Sequence, residues 1–299
     1  MRFASLSILG LLWIVPVPFC RSVAAQAAGG SQRVIERHSF TDPEGELLGY
    51  YSALVVFSPV GERAPTRRWS VDIGGEVSYL PALSADQRSA GRTKLESTNL
   101  APVLPRPRLA LWLPGDLEVE GSWTPPVKVF AARSSLFAFA VSAPVLRVAA
   151  AQVAVRLSYV GGRVSGPITC NRSFTAGDFS LQDYWFHICH SRESDDRFEP
   201  SQWGGELVAS VLGGARTVAA DVGLGVEREH TLFDVGVLNV DGSRDLDHPV
   251  LELRAVRGYG FVGATWRIAR TVRINAEMFN APGSVLTVRT LATFRLSGR

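Results

Sequence analysis

Ser284-Val-Leu-Thr-Val-Arg-Thr-Leu-Ala-Thr-Phe-Arg-Leu296 places Leu286, Val288, Ala292, Phe294 and Leu296 on one parity, with Thr290 among them. Thr287, Arg289, Thr293 and Arg295 fall on the other, Leu291 being the exception. Period-two alternation over this length is a β-strand with one apolar and one wet side. The pattern recurs upstream: Trp69, Val71, Ile73, Val77 and Tyr79 oppose Ser70, Asp72, Glu76 and Ser78. Leu117, Val119, Gly121 and Trp123 likewise oppose Glu118, Glu120 and Ser122.

The N-terminus has the grammar of an export signal. Arg2 supplies positive charge, and Leu6 to Phe19 is apolar but too short, and too broken by Pro16 and Pro18, to suit a membrane span. Small residues at Val23-Ala24-Ala25 and Ala25-Gln26-Ala27 fit cleavage, so residues 1–27 are expected to be a signal peptide and 28–299 the mature domain. Cys20 follows the bulky Phe19 where a lipoprotein signal needs small residues. Cleavage removes Arg2 and Arg21, so 31 basic residues fall to 29 against 28 acidic ones. That balance lacks the basic footprint of a nucleic-acid partner. The two remaining cysteines, Cys170 and Cys189, read as one disulfide in an exported chain.

Following alternation and turn residues predicts strands at Leu47 to Ser58, Trp69 to Tyr79, Arg108 to Leu113, and Leu117 to Trp123. Lys128 to Ser142 and Arg147 to Val160 read as a hairpin turning at Ala143-Pro144. Further strands follow at Glu206 to Leu212 and Arg216 to Arg228. In Leu251 to Ile268 the apolar parity flips, and Gly258-Tyr259-Gly260 at the flip suggests a β-bulge. Thr271 to Phe279 and the last strand complete the set. Long loops fall near 80–106, 161–203 and 229–249, and short turns fall between them. One strand is missing from an even count, and Arg33 to Phe40 is the remaining candidate. The expectation is an all-β antiparallel transmembrane barrel of about twelve strands, ten being the lower count, apolar outside and polar within.

Alternation alone does not separate this from a soluble barrel or sandwich with its apolar face inward. Charge on the polar faces decides for the membrane, supported by Trp69, Tyr79, Trp123, Tyr159 and Trp266 at strand ends. The expected lumen lining is Asp72, Glu76, Glu118, Glu120, Arg156, Asp221, Glu252, Arg254, Arg273, Glu277, Arg289 and Arg295. Such a lining serves a polar translocation path or a plug of ion pairs, and both satisfy the need of buried charges for partners.

His187, Cys189 and His190 invite a zinc reading, but a structural site needs four ligands and Cys189 has Cys170 to bond with. Asp241 to Asp247 has acids enough for calcium without the order of an EF-hand. No metal or cofactor is therefore expected. A Ser210/His230 pair is the one hydrolytic candidate, and no Gly-x-Ser-x-Gly elbow accompanies it. No catalytic residue is assigned.

The signal, the strands and the Phe294-Arg-Leu296 ending resemble Gram-negative outer-membrane β-barrels as a class, though Ser297-Gly298-Arg299 follow the last apolar residue. The resemblance implies a place in the outer membrane, with its lipid and the barrel-insertion machinery as partners. Asn99-Leu-Ala-Pro-Val-Leu-Pro-Arg-Pro-Arg108 followed by a Pro-Gly turn is similar to barrels that transport hydrophobic compounds, and no functional residue carries across. The favoured function is a channel or transporter for a small-molecule substrate. The alternatives are a lipid-modifying hydrolase and an adhesion or structural barrel acting through its loops.

Overall fold

The computed structural model describes residues 33–60, 69–83, 101–148, 150–170, 189, 192–213 and 217–297. The expected signal peptide, His187, His190 and the loop aromatics around Trp185 lie outside them.

Twelve strands and one helix make up the described chain. Ten strands close a wall of antiparallel neighbours: β2 (Ser70–Tyr79), β3 (Val103–Leu113), β4 (Leu117–Thr124), β6 (Ala132–Val148), β7 (Ala151–Gly166), β8 (Asp196–Leu212), β9 (Val218–Asp234), β10 (Val250–Arg267), β11 (Val272–Ala281) and β12 (Val285–Ser297). Closure comes from β12 pairing with β2, Leu296 opposite Val71. Two strands stand outside this circuit. β5 (Lys128–Val129) pairs with β6, and β1 (Ile35–His38) lies parallel to β10. The candidate at Arg33 to Phe40 is thus a strand, but not a wall strand.

The connections that follow Leu113, Val148, Leu212 and Arg267 share one end of the barrel, while the tight turn between Ala281 and Val285 lies at the other. Between β3 and β4 the Asp116 N–H donates to the Leu113 carbonyl across Pro114-Gly115, with Gly115 at φ 86°. Proline then glycine in the middle of a turn supplies the backbone angles a type II turn needs. The strand ends at Tyr79, Val103, Gly166, Asp196, Asp234 and Val250 lie at the other end, called the upper end below. The connections between these ends are shorter in sequence than expected because β3 starts earlier, at Val103, and β7, β8 and β9 run further.

Around the lower two-thirds of the wall the outward residues are apolar and exposed. Leu224 is 71% exposed, and Ile73, Val141, Leu157, Leu207, Val262, Met278 and Val288 stand around the same band. Tyr79, Trp123, Tyr159 and Trp203 mark its upper edge, Trp69 and Trp266 its lower edge. Inward residues on the same strands are charged and buried. A soluble barrel reverses this arrangement, so the wall is built for lipid.

The structure departs from three expectations. Leu47 to Ser58 is not a strand: Pro43–Val55 is helix α1, enclosed in the lumen. The segment is apolar on every side, and a helix buried all round loses the stripe that identifies an amphipathic one. Its start was written in Pro43 at the first helical turn with Glu44 and Glu46 beside it. Second, Ala143-Pro144 is no turn. β6 passes through it with a register shift between Pro144 and Leu146, and turns only after Val148. A bulge lets proline sit in a ladder without leaving a donor missing. Third, β10 has no bulge at Gly258-Gly260. Its pairing with β9 runs unbroken from Val250 opposite Asp234 to Trp266 opposite Val218. The parity flip has another origin: above the girdle Leu251, Leu253 and Ala255 turn inward onto α1 and the water-facing side is polar.

Candidate functional site: a gripped plug beneath an apolar cavity

α1 and the extended residues 56–60 that follow it pass down the lumen. Tyr50, Ala53, Phe57 and Ser58 are each at most 1% exposed. No basic residue lies in the helix's own last turn, although its free carbonyls carry partial negative charge there. The wall supplies the cations. Arg106 donates to the carbonyls of Val55 at 3.0 Å and Val56 at 3.2 Å. Arg289 reaches Ala53 at 3.3 Å and Val56 at 2.9 Å. Arg156 and Arg108 continue the series at Phe57 (2.5 Å) and Ser58 (2.8 Å). The guanidiniums of Arg108 and Arg156 also lie 4.2 and 4.9 Å from the centre of the Phe57 ring. Each charge-assisted bond contributes roughly 1.5–3 kcal/mol, so the segment is strongly held.

These arginines are matched by glutamates. Arg108 pairs with Glu76, and Arg156 spans Glu120 at 2.7 Å and Glu206 at 3.0 Å. Arg289 faces Glu277 at 4.0 Å and donates to the Ser58 hydroxyl at 2.6 Å. Below them Asp72 accepts from Arg273, Arg295 and the Trp112 indole. Higher up, Arg257 bridges Glu227 and Glu229 and donates to the Gly49 carbonyl at 2.6 Å. Alternating residues on paired strands fix all these side chains inward. The sequence pointed to most of the wall charges, but missed Arg106, Arg108, Glu206, Glu229 and Arg257. Arg106 and Arg108 hide in a proline-rich stretch, and Arg257 stands beside the parity flip.

Of the expected lumen residues, Asp72, Glu76, Glu118, Glu120, Arg156, Asp221, Arg273, Glu277 and Arg289 are buried inside, and Arg295 is partly exposed. Glu252 and Arg254 are corrections. They sit on the outer side of β10 above the girdle, where Arg254 is 61% exposed and Glu252 accepts from it, from Arg37 and from His230. Their parity matches the apolar, lipid-facing residues lower on β10, because pairing continues unbroken past the membrane edge. Ser210 points inward on β8, whereas His230 points outward on β9, nine pairs higher up the ladder. They do not form a dyad. Asp241 accepts from the amide and hydroxyl of Ser243, which hold its carboxyl below the usual carboxylate range. Cys170 and Cys189 are bonded and buried against Val237 in an upper loop.

Above the arginines the chemistry changes. A cavity of about 320 Å³ lies between α1 and the wall, lined chiefly by Leu54, Val55, Leu104, Val129, Ile168 and Phe198. On the lower side of the segment a polar cavity of about 40 Å³ is bordered by Asp72, Glu118, Glu120 and Arg273.

No family model matches the chain, and no curated protein does. Solved structures overlap with it. Ail, the attachment invasion locus protein of Yersinia pestis, seen with the heparin analogue sucrose octasulfate, is 10% identical over 76% of this chain and 97% of its own, with a TM-score of 0.28. The outer membrane protein Omp33 of Acinetobacter baumannii is 10% identical over 77% and 99%, at 0.31. Outer membrane phospholipase A from Escherichia coli is 10% identical over 77% and 92%, at 0.24. The wall itself is closed, lipid-compatible outside and charged inside. This chain is an integral membrane-spanning β-barrel.

Proposed function

We propose that this protein takes up a small apolar molecule, which it holds in the cavity between α1 and the wall. One observation carries the reading: above a belt of buried ion pairs, the space beside Leu54, Val55 and Phe198 is apolar on nearly every side. Its volume is at the lower end of the range for small-molecule sites. Burial of apolar area at roughly 25 cal/mol per Å² is the force such a space offers a ligand. The gripped segment 56–60 stands between this cavity and the lower lumen, so passage requires the segment to yield. That favours a gated uptake protein over a standing polar pore.

The test combines binding and conductance. Wild-type protein in detergent should bind the apolar fluorophore N-phenylnaphthylamine, and Leu54→Arg and the space-filling Val129→Trp should each weaken binding at least tenfold. In planar bilayers the wild type should be nearly silent. A steady open-pore conductance without probe binding would replace this reading with a polar channel. Lipid hydrolysis by the purified protein would instead favour an enzyme.

A further inference from the structure

The cavity has an unusual border. It touches Leu104, which points inward from β3, and also Pro105 and Pro107, which point outward from the same strand. A space can contact both faces of one strand only by passing around a free edge. Among the described residues such an edge exists. β3 pairs with β2 along its whole length, from Tyr79 opposite Val103 to Ser70 opposite Trp112. Its pairing with β4 stops at Arg108 opposite Ser122. Residues 103–107 therefore have no β4 ladder.

Backbone direction explains why this edge is tolerated. The Leu80 N–H donates to the Pro102 carbonyl at 2.9 Å, so even-numbered residues of this stretch turn their polar backbone groups toward β2. Odd-numbered residues turn theirs toward β4. Two of those three are Pro105 and Pro107, which have no N–H. An unpaired donor facing lipid costs several kcal/mol, and proline removes the donor itself. On the far side Pro125-Pro126 lead the chain away from β3, and the Val127 N–H turns back to the Pro125 carbonyl at 2.7 Å. Pro105 lies opposite Val77, two pairs from Tyr79 at the girdle. The gap thus opens at the upper part of the lipid-facing band.

We propose that this gap is a side entrance through which an apolar molecule dissolved in the outer leaflet reaches the cavity without crossing the aqueous loops. The inference rests on the uptake reading and adds its route. It can be tested with a diazirine-bearing alkane dissolved in vesicle membranes that hold the full-length protein. Irradiation should label Leu54 or Val55 on α1. Pro107→Cys with Trp123→Cys places two cysteines where a continued ladder would pair them. Oxidised, this variant should lose α1 labelling more than tenfold, and reductant should restore it, wild type under the same reductant serving as control. Pro105→Thr with Pro107→Thr, which returns two donors to the edge, should lower labelling without any crosslink. Equal α1 labelling in the stapled and open forms would overturn the side entrance and leave the uptake reading intact. No α1 labelling in any form, with the probe also absent from the cavity in detergent, would overturn both.

Discussion

β8 to β10 have two regions of opposite chemistry on one unbroken ladder. Low on β8, Leu207, Ala209 and Val211 face out while Glu206 and Ser210 face in; higher up, Arg197, Glu199 and Ser201 face out and Phe198 faces in. β9 changes between Val226 and Arg228, and β10 between Val256 and Arg254. Pairing is continuous through all of these positions. The backbone is indifferent to what lies on either side of it. What changes is the solvent outside, from lipid to water, and the content inside, from ion pairs to an apolar helix. A parity flip in such a strand marks the membrane surface rather than a bulge.

Breaking the lower interior should have the largest effect. Arg156 is fully buried between Glu120, Glu206 and the Phe57 carbonyl. Arg156→Leu leaves two buried carboxylates without their cation, for which a loss of about 3–5 kcal/mol is expected. Urea unfolding in lipid vesicles measures it, and a change under 1 kcal/mol would show that the network relaxes around the loss.

Next comes the lower exterior. Leu224→Arg in the mid-band should cost about 2–4 kcal/mol, whereas Ser201→Arg above the girdle should cost little. Heat-modifiable gel mobility after refolding compares the two. Equal penalties would place the membrane edge elsewhere.

The upper exterior should be nearly inert. Arg163 and Glu199 pair at 2.7 Å with both side chains well exposed, so Arg163→Ala should cost only about 0.2–1 kcal/mol, and less in high salt. Reducing the Cys170–Cys189 bridge should leave the barrel's urea midpoint unchanged. The chain-entropy model assigns such a bridge ~3 kcal/mol, and among the described residues its apolar neighbours are the buried Val237 and the partly buried Val235. A shifted midpoint would mean that the loop props the wall.

The sequence alone determined the barrel, because alternation is a local property: each strand needs only the period of its own residues to declare two faces. Charges such as Asp72, Glu76 and Glu120 could be assigned inward on that ground, since in lipid they have nowhere else to go. Tertiary structure decided whatever depended on a second partner. α1 was hidden because a helix enclosed by wall on all sides carries no stripe. Glu252 and Arg254 were misplaced because parity names a face without saying which solvent it meets at that height. The arginine grip appears only when Arg106, Arg108, Arg156 and Arg289, far apart in the chain, meet the same few carbonyls. The gap at Pro105 and Pro107 likewise exists only once β4 is seen to turn away, because a strand edge is defined by its missing neighbour.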